Sequence, residues 1–301
     1  MPVIGFIGGS SAENSVKRLE AFRKGLSETG YVEGRDVAIE FRWAEGREDR
    51  MPELAADLVR RQAAVIAVLD STAGALAAKA ATSSIPIVFS TASDPVAVGL
   101  VASLNRPGGN ATGVKTLNVE LTAKRLGLLR ELAPQATRFV ALVGRNAVLT
   151  DAIVKDVHAS VPTLGVPVEI LYAGHSDRDI VAAFASLSQK PGTALLVNSD
   201  PFFFTRRTLI VTLAARHALP TVYYTREFAE SGGLISYGTN ANNIRELVGI
   251  YTGRVLHGDK PADLPVAQPT KFEMVINLSN AKALAIDVPP TLLATADEVI
   301  E

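Results

Sequence analysis

Short β-rich apolar runs alternate with amphipathic stretches along the whole chain, the rhythm of βαβ units that build a parallel sheet. Residues 3–7 (VIGFI), 64–69 (AVIAVL) and 85–89 (IPIVF) are continuous apolar runs. Strands covered by helices on both faces require that pattern, whereas half-solvated strands alternate. Residues 139–143, 168–172, 194–197, 221–224 and 234–238 repeat the outline in the second half, so the chain reads as two similar lobes. Between the strands, Val16, Leu19, Phe22 and Leu26 recur at helical spacing and stop at Gly30, a residue suited to a left-handed helix end. Ile244, Leu247, Val248, Tyr251 and Val255 form a second, wider stripe, with Asn240 or Asn242 as its cap. Two turn-rich segments read as connectors between lobes: 106–114 (RPGGNATGV) and 259–271, the latter broken by Pro261, Pro265 and Pro269. No short internal period is present, which sets repeat architectures aside.

Composition narrows the classes. A chain of 301 residues is long enough for two domains. Thirty Lys and Arg against 31 Asp and Glu leave a net charge of −1, which gives no field to gather nucleic acid or an anionic membrane. No apolar run reaches the roughly 20 residues that span a bilayer. With no cysteine there is no disulfide, no thiolate metal site and no Cys nucleophile.

Open parallel sheets bind ligands beyond the carboxyl ends of their strands, where helix N-termini offer unpaired N–H groups. The small, hydroxyl-rich loops GGSSAEN, DSTAG and STASDP follow three of the predicted strands. Gly8-Gly9-Ser10-Ser11 lacks the spacing of a dinucleotide fingerprint and no Gly-Lys-Ser/Thr follows it, so no nucleotide cofactor is expected. Asp70-Ser71-Thr72 either caps the Ala-rich helix after it or lends that helix's N–H groups to a ligand carboxylate. Asp94 could cap a helix, pair with a ligand ammonium, or do both. In the second half Asn146, Asn198, Ser199, Asp200, Tyr223, Tyr224 and Tyr237 stand at strand ends, while Phe202, Phe203 and Phe204 read as core. No G-x-S-x-G or H-E-x-x-H motif occurs, and His158, His175, His217 and His257 are scattered, so neither a catalytic set nor a metal site is expected.

Longer stretches carry a resemblance. Residues 81–114 (ATSSIPIVFSTASDPVAVGLVASLNRPGGNATGV), 198–207 (NSDPFFFTRR), 219–238 (LPTVYYTREFAESGGLISYG) and 264–301 resemble, in order, the motifs of the ABC-transporter substrate-binding proteins grouped with tryptophan- and tyrosine-binding lipoproteins. The resemblance implies a type I periplasmic-binding fold: two Rossmann-like α/β lobes with parallel sheets, three crossings, and a small amino-acid-like ligand, often aromatic, enclosed at the hinge. It implies delivery to ABC permease subunits of the inner membrane, and no enzymatic step. Carried onto this chain, lobe 1 comprises 1–115 and 239–265, and lobe 2 comprises 116–238 and 266–301. Ligand contacts fall at Ser10, Ser11, Ser71, Thr72, Thr91 and Asp94 in the first lobe and at Asn146, Asn198, Asp200, Tyr224 and Tyr237 in the second. The family's export signal or lipobox cysteine is not in this sequence, and the reading is a mature periplasmic protein. A sugar-sensing regulator core shares the fold, but no DNA-reading helix-turn-helix precedes the first strand. An α/β oxidoreductase or transferase lacks its fingerprint here.

Overall fold

A computed structural model describes residues 1–145, 149–174, 176–188 and 190–301; Asn146 and His175 lie outside the described residues. In chain order the path begins with β1 (Val3–Gly8), α1 (Val16–Glu28), β2 (Ala38–Trp43), α2 (Met51–Arg60), β3 (Val65–Leu69), α3 (Thr72–Ala81), β4 (Ile87–Thr91) and β5 (Ala111–Lys115). It continues through α4 (Thr122–Leu132), β6 (Arg138–Gly144), α5 (Thr150–Leu164), β7 (Val168–Ala173), α6 (Asp177–Ser188), β8 (Thr193–Val197), α7 (Pro201–Thr205), α8 (Arg207–Arg216), β9 (Thr221–Tyr223), α9 (Arg226–Glu230) and β10 (Ile235–Thr239). It then runs through α10 (Ala241–Leu256), β11 (Phe272–Asn277), α11 (Leu278–Ala283), α12 (Pro290–Thr295) and β12 (Glu298–Ile300). Two units result: Met1–Thr116 with Ala241–Thr270, and Leu117–Asn240 with Lys271–Glu301. The chain therefore passes between units three times, one, two and five residues later than the boundaries read from the sequence.

The first unit is a parallel five-stranded sheet in the order β2-β1-β3-β4-β5. Its side chains alternate between two cores. Ile66, Val68, Ile87 and Phe89 meet α2 and α3 through Leu54, Leu58, Ala75 and Ala78. Val65, Ala67, Leu69 and Val88 meet α1 and α10 through Phe22, Leu26, Ile244 and Val248. Both predicted apolar stripes therefore face the core, except that Val16, the first residue of α1, is 57% exposed. The two helices touch backbone to backbone: a Cβ on Gly249 would run into the Phe22 carbonyl oxygen, and one on Gly25 into that of Glu246. The Asn240 side chain, just before α10, donates from Nδ2 to Glu273 Oε2 at 2.9 Å.

Two strands of this sheet depart from the sequence reading. Residues 106–114 read as a connector, but 111–115 form the edge strand β5, in register with β4 from Ile87↔Ala111 to Thr91↔Lys115. The edge strand β2 went unread because Glu40 and Arg42 interrupt its apolar residues, and all six positions are half-buried. An edge strand is covered less than a central one, so it needs no continuous apolar run.

The second unit has seven strands in the order β12-β11-β10-β9-β8-β6-β7, parallel except for the antiparallel pair β10–β11. Phe202, Phe203 and Phe204 belong to the core on one face of this sheet, with Phe184, Ile210, Tyr223 and Phe228. On the other side α4 and α5 pack on each other and on β6, β8 and β9.

Candidate functional site

In each sheet the chain leaves one strand in one direction and later returns to that strand's other side. β1 sits between β2 and β3, and β6 between β7 and β8. At such a switch point successive helices cover opposite faces, leaving a crevice at the carboxyl ends of the two central strands. In the first unit these are the loops after β1 and β3. In the second they are the loops after β6 and β8.

In the first unit the Ser10 side chain is buried, its Oγ 2.8 Å from Ser15 Oγ, and Ser15 Oγ donates at 2.8 Å to the Ser11 carbonyl. These bonds fold the loop after β1 back onto the start of α1. Ser71 is the N-cap of α3, its Oγ accepting from Gly74 N–H at 2.9 Å. Thr72 Oγ1 lies 2.7 Å from Thr91 Oγ1, and Ser93 Oγ donates to Thr72 Oγ1 at 3.2 Å. Ser71, Thr72, Thr91 and Ser93 are thus one buried hydroxyl cluster at the N-terminus of α3. Asp94, the next residue, is exposed, with Oδ1 accepting from the Val96 and Ala97 N–H groups at 2.9 and 3.2 Å. Its carboxylate caps a turn where the sequence suggested a helix, because no helix forms between β4 and β5.

Three further features of this strand edge had no distinct signature in the sequence. Asp70 does not cap α3; it takes a left-handed φ of 56° and turns its carboxylate to Arg245 Nε at 3.2 Å and Arg18 at 3.3 Å. Non-Gly residues held at positive φ are uncommon and concentrate at binding sites. Arg245 is 3% exposed although it lies within an amphipathic helix, where an arginine ordinarily reads as solvated. The single tryptophan, Trp43, pairs with Gly8 across β2 and β1 and lays its ring where a Gly8 Cβ would be. It stacks on Phe41 with centroids 5.8 Å apart and planes at 4°. The loop after Trp43 is tied to the loop carrying Ser10, with Ala44 N–H donating to the Gly8 carbonyl at 3.0 Å and Gly46 N–H to that of Gly9 at 2.8 Å.

In the second unit Asn198 and Asp200 are buried just beyond β8. Asn198 donates from its backbone N–H and from Nδ2 to the Leu142 carbonyl, at 3.1 and 3.3 Å. Asp200 Oδ1 accepts from the Phe202 and Phe203 N–H groups at 2.7 and 3.1 Å, and Tyr224 Oη donates to the Asp200 carbonyl at 3.2 Å. These three residues form one group. Tyr237 does not join them, because its ring faces a groove of about 390 Å³ lined with Lys124, Leu128, Met274 and Leu292. Burial raises the Tyr237 phenol above its ordinary range, with Arg125 opposing. Arg125 is fully buried, and desolvation pulls its guanidinium down to about 10, against the nearby Tyr224 and Tyr237. It remains a cation at neutral pH. Among the described residues no group of three His, Asp or Glu side chains is placed to hold a metal ion, and no helix is long and apolar enough to cross a membrane.

Two units, each with an open, mostly parallel sheet that has a switch point, define the type I periplasmic-binding-protein fold. Residues 2–300 match the family described as ABC transporter substrate binding protein, and the chain belongs to that family. Its members bind a small-molecule substrate and work with ABC permeases. A tyrosine-binding protein of Clostridioides difficile is 28% identical over 270 residues, which cover 89% of this chain and 76% of that protein. The crystal structure of a Streptococcus pneumonia ABC domain in complex with L-Trp superposes with a TM-score of 0.89 at 25% identity over 99% of both chains. A conserved domain protein of Vibrio cholerae superposes with a TM-score of 0.90 at 22% identity, again over 99% of both chains.

Proposed function

We propose that this chain is the periplasmic binding component of an ABC importer for an aromatic amino acid, which it holds and releases unchanged. The observation that carries the reading is the hydroxyl cluster of Ser71, Thr72, Thr91 and Ser93 at the N-terminus of α3. Short hydroxyl side chains let a ligand approach the helix closely, and the dipole end favours its carboxylate. In the second unit Asn198, Asp200 and Tyr224 supply polar groups beside an aromatic core, suited to the rest of such a ligand. Asp94 and Ser11 belong to the same proposal, as partners for the ammonium and for ligand polar atoms. Tyrosine and tryptophan recognition by relatives supports the choice of ligand class. A ligand that takes contacts from strand ends of both units stabilises their closed arrangement, which a permease can read.

Calorimetric titration with L-tryptophan, L-tyrosine, L-phenylalanine and tyramine tests this. Saturable binding of at least one amino acid, with tyramine much weaker because it lacks the carboxylate, is the expected result. Small-angle scattering should show a smaller radius of gyration with the bound amino acid. Equal binding of tyramine and L-tyrosine removes the carboxylate site, and no binding by any of the four removes the ligand class.

A further inference from the structure

Arg125 spends an expensive group on an unusual set of partners. A guanidinium that is 0% exposed gives up its hydration, and a fully buried cation is tolerated only when its donors are well placed. Here Nε donates to the Tyr237 carbonyl at 2.6 Å, one Nη to the Asn118 carbonyl at 2.6 Å, and the other to Asn118 Oδ1 at 3.2 Å. Asn118 Oδ1 also accepts from the Thr239 N–H at 3.2 Å. The acceptors are thus two backbone carbonyls and an amide, and they lie on two segments far apart in sequence.

Those segments share one property. Asn118 is the second residue after the chain enters the second unit at Leu117, and Tyr237 to Thr239 are the last residues before it leaves at Asn240. The third passage is joined to them: Asn240 N–H donates to the Lys271 carbonyl at 3.0 Å, and Thr239 pairs with Phe272 across β10 and β11. On the side of the second unit all three passages are therefore cross-linked, with the buried fork of Arg125 bridging two of them.

We propose that Arg125 is a positioning residue for ligand binding: it fastens the ends of the passages into the second unit, so that bending is confined to the peptide links at 116–117, 240–241 and 270–271. The proposal rests on the binding function proposed above. A planar fork can hold two carbonyls and an amide at fixed angles, and a lysine ammonium cannot. With the fork gone, residues 117–121 and 237–240 gain freedom, and the arrangement competent to bind becomes a smaller share of the population. Apparent affinity falls in proportion to that share.

Full-length Arg125→Lys and Asn118→Ala are compared with the parent chain by residue-resolved amide hydrogen exchange without ligand, and by titration with L-tryptophan. The expected result is loss of at least about tenfold in protection at the Thr239 and Asn240 amides, with protection of β6 and β8 unchanged, and a Kd for L-tryptophan raised about tenfold. Protection lost equally across β6 and β8 overturns the proposal, since Arg125 then serves only the stability of the unit. An unchanged Kd in a variant that has lost protection at Thr239 overturns it as well. Asn118→Ala leaves the buried cation in place and supplies the answer if Arg125→Lys folds poorly. Should the parent chain bind none of the aromatic amino acids, the ligand reading fails by itself, and the exchange pattern decides the clamp.

Discussion

The Ser71 hydroxyl accepts from Gly74 N–H, so Ser71→Ala should cost about 1 kcal/mol of stability, the usual worth of an N-cap. Ser71→Asp keeps a cap of equal quality but sets a negative charge where the ligand carboxylate is proposed to lie. Chemical denaturation should find it as stable as the parent, while titration should find L-tryptophan bound at least about tenfold more weakly, the scale of one charged contact. Equal affinity in the two proteins would leave Ser71 a cap and nothing more. Asp156 offers a prediction about pH. Burial raises its carboxyl above the ordinary value of 3.8, with the Thr122 hydroxyl opposing, and Oδ2 is buried without a hydrogen-bond partner. The folded state then holds this proton more tightly than the unfolded chain does, so stability declines as pH rises from 3.8 through the folded pKa. Asp156→Asn should raise the melting temperature at pH 7, and the gain should vanish as the pH is lowered below 3.8; a gain independent of pH would assign the effect to packing. At this scale the sequence shows caps well, because Ser71 before an Ala-rich run has few other uses. It conceals Arg125 and Arg245, since an arginine within a helix is written the same way whether it is solvated or fully buried.

Helices α1 and α10 meet through glycine, and a methyl group at Gly249 would press on the Phe22 carbonyl and the Leu26 amide. Backbone cannot give way as a side chain can. Gly249→Ala should destabilise the chain by about 1–3 kcal/mol, the range for overpacking, even though alanine is the better helix former. Urea denaturation checks this, and a neutral or stabilising result would mean that the two helices slide apart freely. The stripes that identify these helices were legible because each buries one face. The strands were legible only in part: β1, β3, β4, β6 and β8 announce themselves as apolar runs, whereas β2 carries Glu40 and Arg42 and β5 begins directly after a Pro-Gly-Gly-Asn turn. Both are edge strands of the first sheet, with one neighbouring strand in place of two.

The division into two units was legible from the repeated outline, and the passages between them less so. Residues 259–271 read as a connector because prolines break them, yet Val266 N–H donates to the Leu104 carbonyl at 2.7 Å and Ala267 N–H to that of Gly113 at 2.9 Å. Proline forbids helix here without forbidding attachment, so the segment stays with the first unit until Thr270. The hydroxyl cluster was legible only as loops: topology brings Thr72, Thr91 and Ser93 together, but no spacing in the sequence says that Asp94 caps a turn or that Tyr237 lines a groove. Trp43 lends the whole molecule a further property. As the chain's one indole, it is the only source of tryptophan emission, and it sits over Gly8 beside the loop that carries Ser10. Excited at the red edge of the indole band, the protein should report the arrival of L-tyrosine or L-phenylalanine, neither of which absorbs there, by a change in emission intensity or wavelength that saturates with the calorimetric Kd. The chain thus carries its own optical gauge, at a single known address, with no dye attached and no residue changed.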